Sequence, residues 1–383
     1  MNLPILRLGI LYYWVFLFLV VIQQAYGQSA LTTTEFSRLD QRITQLMDSA
    51  HVPGLSIVLI RANKRVYSKG YGITKADSTQ LVTPTTVFEA ASLSKPVFAY
   101  VVLQLVEEGK LDLDKPLYEY MPYPDAAADE RYQKITARLV LSHQSGFPNW
   151  RKKRESNQLS MVFSPGDRFG YSGEGFVFLQ KVVEKITDKP INELMEERVL
   201  KPLGMTNSGF VWKSTFNSNY ALPHNESGET ETKYKPSQAN MAYSLHTTAV
   251  DYSQFILALL KPTGLKKTTT EEMLRPQSQL PKRFSGSDTL APGLFWGLGI
   301  GIEQTPTGNY FWHWGDNGAF KCYVTANSDR NDAVIYFANG SNGLDFADEI
   351  LKQTIGGQHP AFGFLGIDWR EEVRKQANKR AEK

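Results

Sequence analysis

The chain has 383 residues, 42% hydrophobic and 12% aromatic against 21% charged, which is enough apolar material for a sizeable core and excludes disorder over most of its length. Its 42 Lys and Arg against 39 Asp and Glu leave a formal charge of +3, too balanced for the field that binds a polyanion, so nucleic acid is not expected as a partner. One cysteine, Cys322, allows no intrachain disulfide and no cysteine zinc cluster, and the six histidines form no H-E-x-x-H pair, so no metal or other cofactor is expected.

At the N-terminus, Arg7 precedes an apolar run over 8–22, and Ala25-Tyr26-Gly27 places small residues two apart before Gln28. This is the layout of a cleavable secretory signal over 1–27, which predicts a periplasmic or secreted mature chain. The run is shorter than the roughly 20 residues needed to cross a bilayer, and no later stretch could span, so no stable membrane span is expected after cleavage.

Next, Thr32 to Glu35 reads as a capping box, and Phe36, Leu39, Ile43 and Leu46 follow at helical spacing to about Ser49. Leu55 to Arg61 and Val66 to Tyr71, rich in branched and aromatic residues, predict a hairpin. From Ser92 to Glu108 the apolar positions fall at helical spacing, and Gly109 ends the run. The middle of the chain looks mainly helical, with Gly175 to Thr187 the clearest stretch. Strand patterns return at Leu294 to Glu303, Tyr310 to Trp314, Lys321 to Ala326 and Ala333 to Asn339, and a last helix covers Leu344 to Ile355.

Strands at both ends with helices between predict an α/β (α+β) architecture: one antiparallel sheet built from both chain ends, flanked by helices, with an inserted mainly helical part. The folded domain is expected to span 32–365, its sheet subdomain made of 32–90 and 241–365 and its helical subdomain of 91–240, followed by a charged tail over 366–383. Cys322 is expected as a small buried residue, His143 as a loop brace, and the run Arg151 to Arg154 as a solvated loop.

Ser92-Leu93-Ser94-Lys95 is the only S-x-x-K in the chain, and it opens a helix. Residues three apart share a face there, so the Lys95 amine can reach the Ser92 hydroxyl while the helix N-terminus favours developing negative charge. That arrangement activates a weak nucleophile. The segments around it resemble those of the serine β-lactamase and penicillin-binding protein family, in its class C β-lactamase-like branch. Glu89 to Gly109 is similar to the family's nucleophile helix, and Ile135 to Pro148 to its I-T-x-x-x-L-L-x-H-x-S-G segment. Tyr171-Ser172-Gly173, after Ser164-Pro165-Gly166, stands where the family has Y-x-N. Lys201 to Met205 resembles its P-L-G-M stretch, and His313-Trp314-Gly315 occupies the place of the K-T-G or H-T-G strand motif.

The resemblance implies a β-lactamase/transpeptidase-like fold and an acyl-enzyme formed on Ser92, with Lys95 and Tyr171 sharing the proton transfers; which of the two takes the first proton is left open. It further implies an oxyanion hole from the backbone N–H groups of Ser92 and Asp316, with His313, Gly315, Ser172 and Gly173 also at substrate-binding positions. The expected function is an exported serine hydrolase cleaving an amide or ester, with a β-lactam, a D-amino peptide of cell-wall type or a short ester as its small-molecule or peptide substrate. The alternative is a catalytically inactive relative that binds cell-wall peptide or a partner. Four departures bear on the substrate. Gly173 replaces the family's asparagine, Trp314 its threonine, and His313 its lysine, and Asp316 stands where a small residue is usual. No G-x-S-x-G occurs, which sets aside an α/β-hydrolase.

Overall fold

The computed structural model describes residues 33–76, 78–151, 158–287 and 289–367. The signal segment, Thr32 of the capping box, Lys152 to Arg154 and the charged tail beyond 367 lie outside the described residues. Residues 1–43 and 44–383 separate as two compact units. Helix α1 (Thr33–Ala50) runs across that division, and every feature below belongs to the second unit.

The second unit is built on an eight-stranded sheet in which the first hairpin pairs with the last strand near one edge. Strands β1 (Gly54–Arg61) and β2 (Lys64–Gly72) form the expected hairpin, and β1 pairs in antiparallel register with β10 (Asp332–Ala338), Leu55 opposite Ala338. Beyond β10 lie β9 (Lys321–Asn327), β8 (Gly308–Asp316), β7 (Gly301–Thr305), β6 (Leu290–Trp296) and β5 (Ser278–Pro281), so the order is β2-β1-β10-β9-β8-β7-β6-β5. β1, β9 and β10 are buried along nearly their whole length, which is why they read as continuous apolar runs. β2 is the outer strand; Lys64, Arg65 and Lys69 on it keep that edge solvated.

The sequence reading differs from this sheet in two places. The single strand expected over Leu294 to Glu303 is two, because the chain folds back through Gly297 to Gly299, where Gly297 N–H donates to Ile300 O and Gly299 N–H to Leu141 O. β5 was not anticipated, since four residues that include a proline carry too little pattern.

A second, two-stranded ribbon pairs β3 (Phe88–Ala91) with β4 (Leu245–Thr247). β3 leads directly into α2 (Ser94–Glu107), which is buried almost all round and forms the axis of the unit. The remaining helices are α3 (Ala137–Leu141), α4 (Gly173–Thr187), α5 (Ile191–Met195), α6 (Ala249–Leu260), α7 (Lys267–Met273), α8 (Ala347–Gln353) and α9 (Ala361–Leu365). Phe98, Phe176, Leu179, Leu200 and Tyr252 sit in one apolar core that joins the helices to the sheet. Each such side chain contributes about 1.5–3 kcal/mol, so the position of α2 is strongly determined. Among the described residues no helix is long and apolar enough to cross a membrane.

Candidate active site

The turn between β3 and α2 carries Ser92. Ala91 before it has φ +48°, a left-handed conformation that costs a residue with a β-carbon about 1–3 kcal/mol unless its surroundings enforce it. Here they do: Ser94 Oγ donates to Ala91 O at 2.6 Å and accepts from Leu245 N–H at 2.9 Å, tying the turn to β4. The helix begins at Ser94 with Leu93 as its N-cap and no capping side chain, so the Ser92 hydroxyl is not spent as a cap. It is partly exposed and lines a cavity of about 540 Å³.

Lys95, one turn on, is buried beneath that wall. Its Nζ donates to Ser92 Oγ at 3.1 Å and to Ala242 O at 2.7 Å, and it stands 4.8 Å from the centre of the Tyr171 ring. Burial pulls its pKa down from 10.5 to about 7. Near neutral pH a substantial share of Lys95 is therefore an uncharged amine that can accept a proton from Ser92.

Tyr171 lies just before α4 and also lines the cavity. Burial pushes its phenol above the ordinary value, with the nearby Ser92 hydroxyl pulling the other way. Its buried hydroxyl lies near that of Ser92 and makes no hydrogen bond of good geometry among the described residues. The ring is held by His143, whose ring centre is 4.1 Å away and whose Nδ1 accepts from Ser172 N–H at 3.1 Å. His143 thus braces the tyrosine from behind, with its own pKa pushed well down by burial and by Lys95.

The cavity wall closes with Asp316 at the end of β8. The chain passes close to β3 here because Gly315 has no side chain: a β-carbon would come 2.2 Å from Cys322 Sγ and 2.4 Å from Ala90 O. Cys322 is fully buried and its thiol donates to that same carbonyl at 3.2 Å. Burial raises the thiol pKa well above normal, so it is a packing group, not a nucleophile.

The structure thus brings Ser92, Lys95, Tyr171 and Asp316 to one place. It does not put four other expected positions on the cavity wall. The His313 ring is fully buried and does not line the cavity; its Nδ1–H is taken by Trp314 O at 2.7 Å, its Nε2 has no partner among the described residues, and burial and Lys95 push its pKa down to about 3, so it is neutral. Ser172 is the N-cap of α4, accepting from Gly175 N–H at 2.9 Å and donating to Pro148 O. Gly173 is covered by the indole of Trp150, and Gly315 serves the packing just described.

Comparison with known proteins decides the family. The family model described as Beta-lactamase matches residues 39–354. The chain belongs to the beta-lactamase family. A curated relative, Protein flp of Staphylococcus aureus (strain MRSA252), is 24% identical over 81% of this chain, which spans 64% of that relative's length. A Pseudomonas fluorescens protein named Beta-lactamase is 25% identical over 60% of this chain and 66% of its own. In fold, the chain is similar to the octameric penicillin-binding protein homologue from Pyrococcus abyssi, with a TM-score of 0.73 and 23% identity over 89% of this chain and 81% of that one. It is also similar to the D-alanine carboxypeptidase AmpC from Burkholderia cenocepacia, with a TM-score of 0.70 and 19% identity over 83% and 98%.

Within this family setting, several residues on the cavity wall were not singled out from sequence. Asn149 and Trp150 follow the S-G-F-P segment directly, and Asn317 follows Asp316, so adjacency to a motif is the signal that could have found them. Tyr243, Phe284, Leu344, Leu365 and Ile367 also line the cavity, far from any motif in the chain. Arg151 is not a solvated charge: it pairs with Glu174 at 2.7 Å and Asp125 at 2.8 Å, anchoring the loop that carries Trp150.

Proposed function

We propose that this beta-lactamase family member is a serine hydrolase that cleaves an ester or amide through an acyl-enzyme on Ser92, with Lys95 as the first base and Tyr171 as the proton donor to the leaving group. The observation that carries this reading is the Lys95 amine, brought down to about 7 by burial and 3.1 Å from a serine hydroxyl that opens onto a cavity. The raised phenol pKa of Tyr171 supports assigning the first step to Lys95, because a protonated phenol cannot be the base.

In this reading Ser92 Oγ forms a bond to the substrate carbonyl carbon as its proton passes to Lys95 Nζ. The tetrahedral oxyanion is held by the N–H groups of Ser92 and Asp316, where one donor is worth about 3–4 kcal/mol of barrier. The C–O or C–N bond then breaks, the leaving group takes the Tyr171 proton, and Tyr171 recovers one from Lys95. Water attacks the acyl-enzyme, releasing a carboxylic acid and free Ser92. His313, neutral and held at Nδ1 by its own strand, is given no proton-transfer step in this reading.

Export belongs to the same proposal: residues 1–27 have the layout of a signal, and N-terminal sequencing of the secreted chain should begin at Gln28. For catalysis, the test is hydrolysis of p-nitrophenyl acetate by the native chain against Ser92→Ala and Lys95→Ala. The expected loss is at least 100-fold for each, in line with the usual contribution of a positioned base or nucleophile. Turnover that survives both substitutions contradicts the reading.

A further inference from the structure

The acyl-enzyme reading leaves the acyl donor open, and the wall of the cavity narrows it. Its large surfaces are aromatic or aliphatic. Trp150 is 46% and Phe284 42% exposed, unusually open for such residues, and Trp314 and Tyr243 join them around Ser92. Trp150 meets Tyr243 edge-on with ring centres 5.6 Å apart, and Phe284 meets Trp314 in the same way at 5.4 Å. An open apolar surface next to a nucleophile is a binding surface for apolar groups.

The polar part of the wall is short of positive charge. Among the described residues lining it, Asp316 is the one that carries a full charge, and that charge is negative. Its Oδ1 accepts from Lys321 Nζ at 2.6 Å, so the nearest lysine on β9 is already committed to it. Lys233, behind Asn317, is buried and paired with Glu89 at 2.8 Å, and Glu89 also accepts from Asn317 Nδ2 at 3.1 Å. His313 is tied to its own strand. The lysine beneath the wall, Lys95, is the group the reaction needs uncharged.

We propose that the cavity selects uncharged esters or amides with an apolar or aromatic acyl group, and discriminates against acyl donors whose leaving side bears a carboxylate. A carboxylate there would meet an Asp316 that already holds Lys321, with no free cation among the described wall residues left to bind it. An apolar acyl group would instead lie against Trp150 and Phe284. This inference rests on the acyl-enzyme reading and adds the substrate class to it.

The test compares two esters that differ in one charge, 3-(phenylacetoxy)benzoate and its methyl ester, with the full-length protein. Cleavage of each forms the phenylacetyl–Ser92 ester, releases the phenol with the Tyr171 proton, and ends in phenylacetic acid. The methyl ester should have a kcat/KM at least tenfold above that of the carboxylate, and Asp316→Asn, which keeps the backbone N–H, should narrow that ratio several-fold. Equal or faster hydrolysis of the carboxylate, or a ratio unmoved by Asp316→Asn, overturns the proposal, as does turnover of neither ester. Parallel labelling with a fluorophosphonate separates the two failures: labelled Ser92 with the wrong preference sinks only the substrate class, whereas an unlabelled Ser92 sinks the acyl-enzyme reading as well.

Discussion

The indole of Trp150 fills the space above Gly173: a β-carbon on Gly173 would lie 2.6 Å from the Trp150 ring. A residue with no side chain at the start of α4 is thus what lets an aromatic ring from the preceding loop lie at the edge of the cavity. Replacing Gly173 with Asn should push Trp150 outward and raise KM for aromatic acyl esters about tenfold with a smaller effect on kcat, because the nucleophile turn is untouched. Trp150→Ala should act in the same direction. Steady-state kinetics on phenylacetyl and acetyl esters check this; an equal loss on both substrates would mean that the ring does not contact the acyl group.

Gly315 makes a different demand. Its missing side chain faces the backbone carbonyl of Ala90 as well as Cys322 Sγ, and a carbonyl cannot rotate away as a side chain can. Gly315→Ala should lower stability by about 1–3 kcal/mol, the usual cost of overpacking, and reduce activity by separating Asp316 from Ser92. Thermal unfolding and ester hydrolysis measured together test it. An unchanged midpoint would show that the two strands have slack.

Lys95 should destabilise the fold it serves. Its pKa is 10.5 in the unfolded chain and about 7 in the folded one, so between those values the unfolded state holds one more proton and stability rises with pH. Below about 7 both states are protonated and the cost of burying the charge is fully felt. Lys95→Met should therefore raise the melting temperature by several degrees at pH 7 while abolishing activity, and the gain should shrink as pH approaches 10. A lower melting temperature for the variant at pH 7 would contradict the burial argument.

The same group sets the pH dependence of the reaction. kcat/KM for a neutral ester should climb through a midpoint near pH 7 as Lys95 loses its proton, then stay level. His313 and His143 titrate far lower, and the Tyr171 phenol higher than an ordinary tyrosine, so none of them should add a limb near neutrality. A profile that falls between pH 7 and 9 would point to an ionising group other than these.

Much of this was legible in the chain and some was not, for physical reasons. The nucleophile turn could be read because S-x-x-K at a helix start is local chemistry, and the central strands because burial on both faces leaves unbroken apolar runs. The break between β6 and β7 was hidden because Gly297 to Gly299 sits inside an apolar stretch that reads as one strand. His313 was expected on the cavity wall, but the strand pattern does not say which neighbour takes its Nδ1–H; the carbonyl of Trp314 does. The aromatic wall is a meeting of Trp150, Tyr243, Phe284 and the segments near Leu344 and Ile367, and only the fold brings these together.

The most direct test of the central claim is intact-mass and peptide mass spectrometry after exposure to a fluorophosphonate probe. Stoichiometric modification of Ser92, lost in Ser92→Ala and slowed at least 100-fold in Lys95→Met, is the predicted result. A correctly folded native chain that stays unmodified, or one modified at another serine, would contradict it.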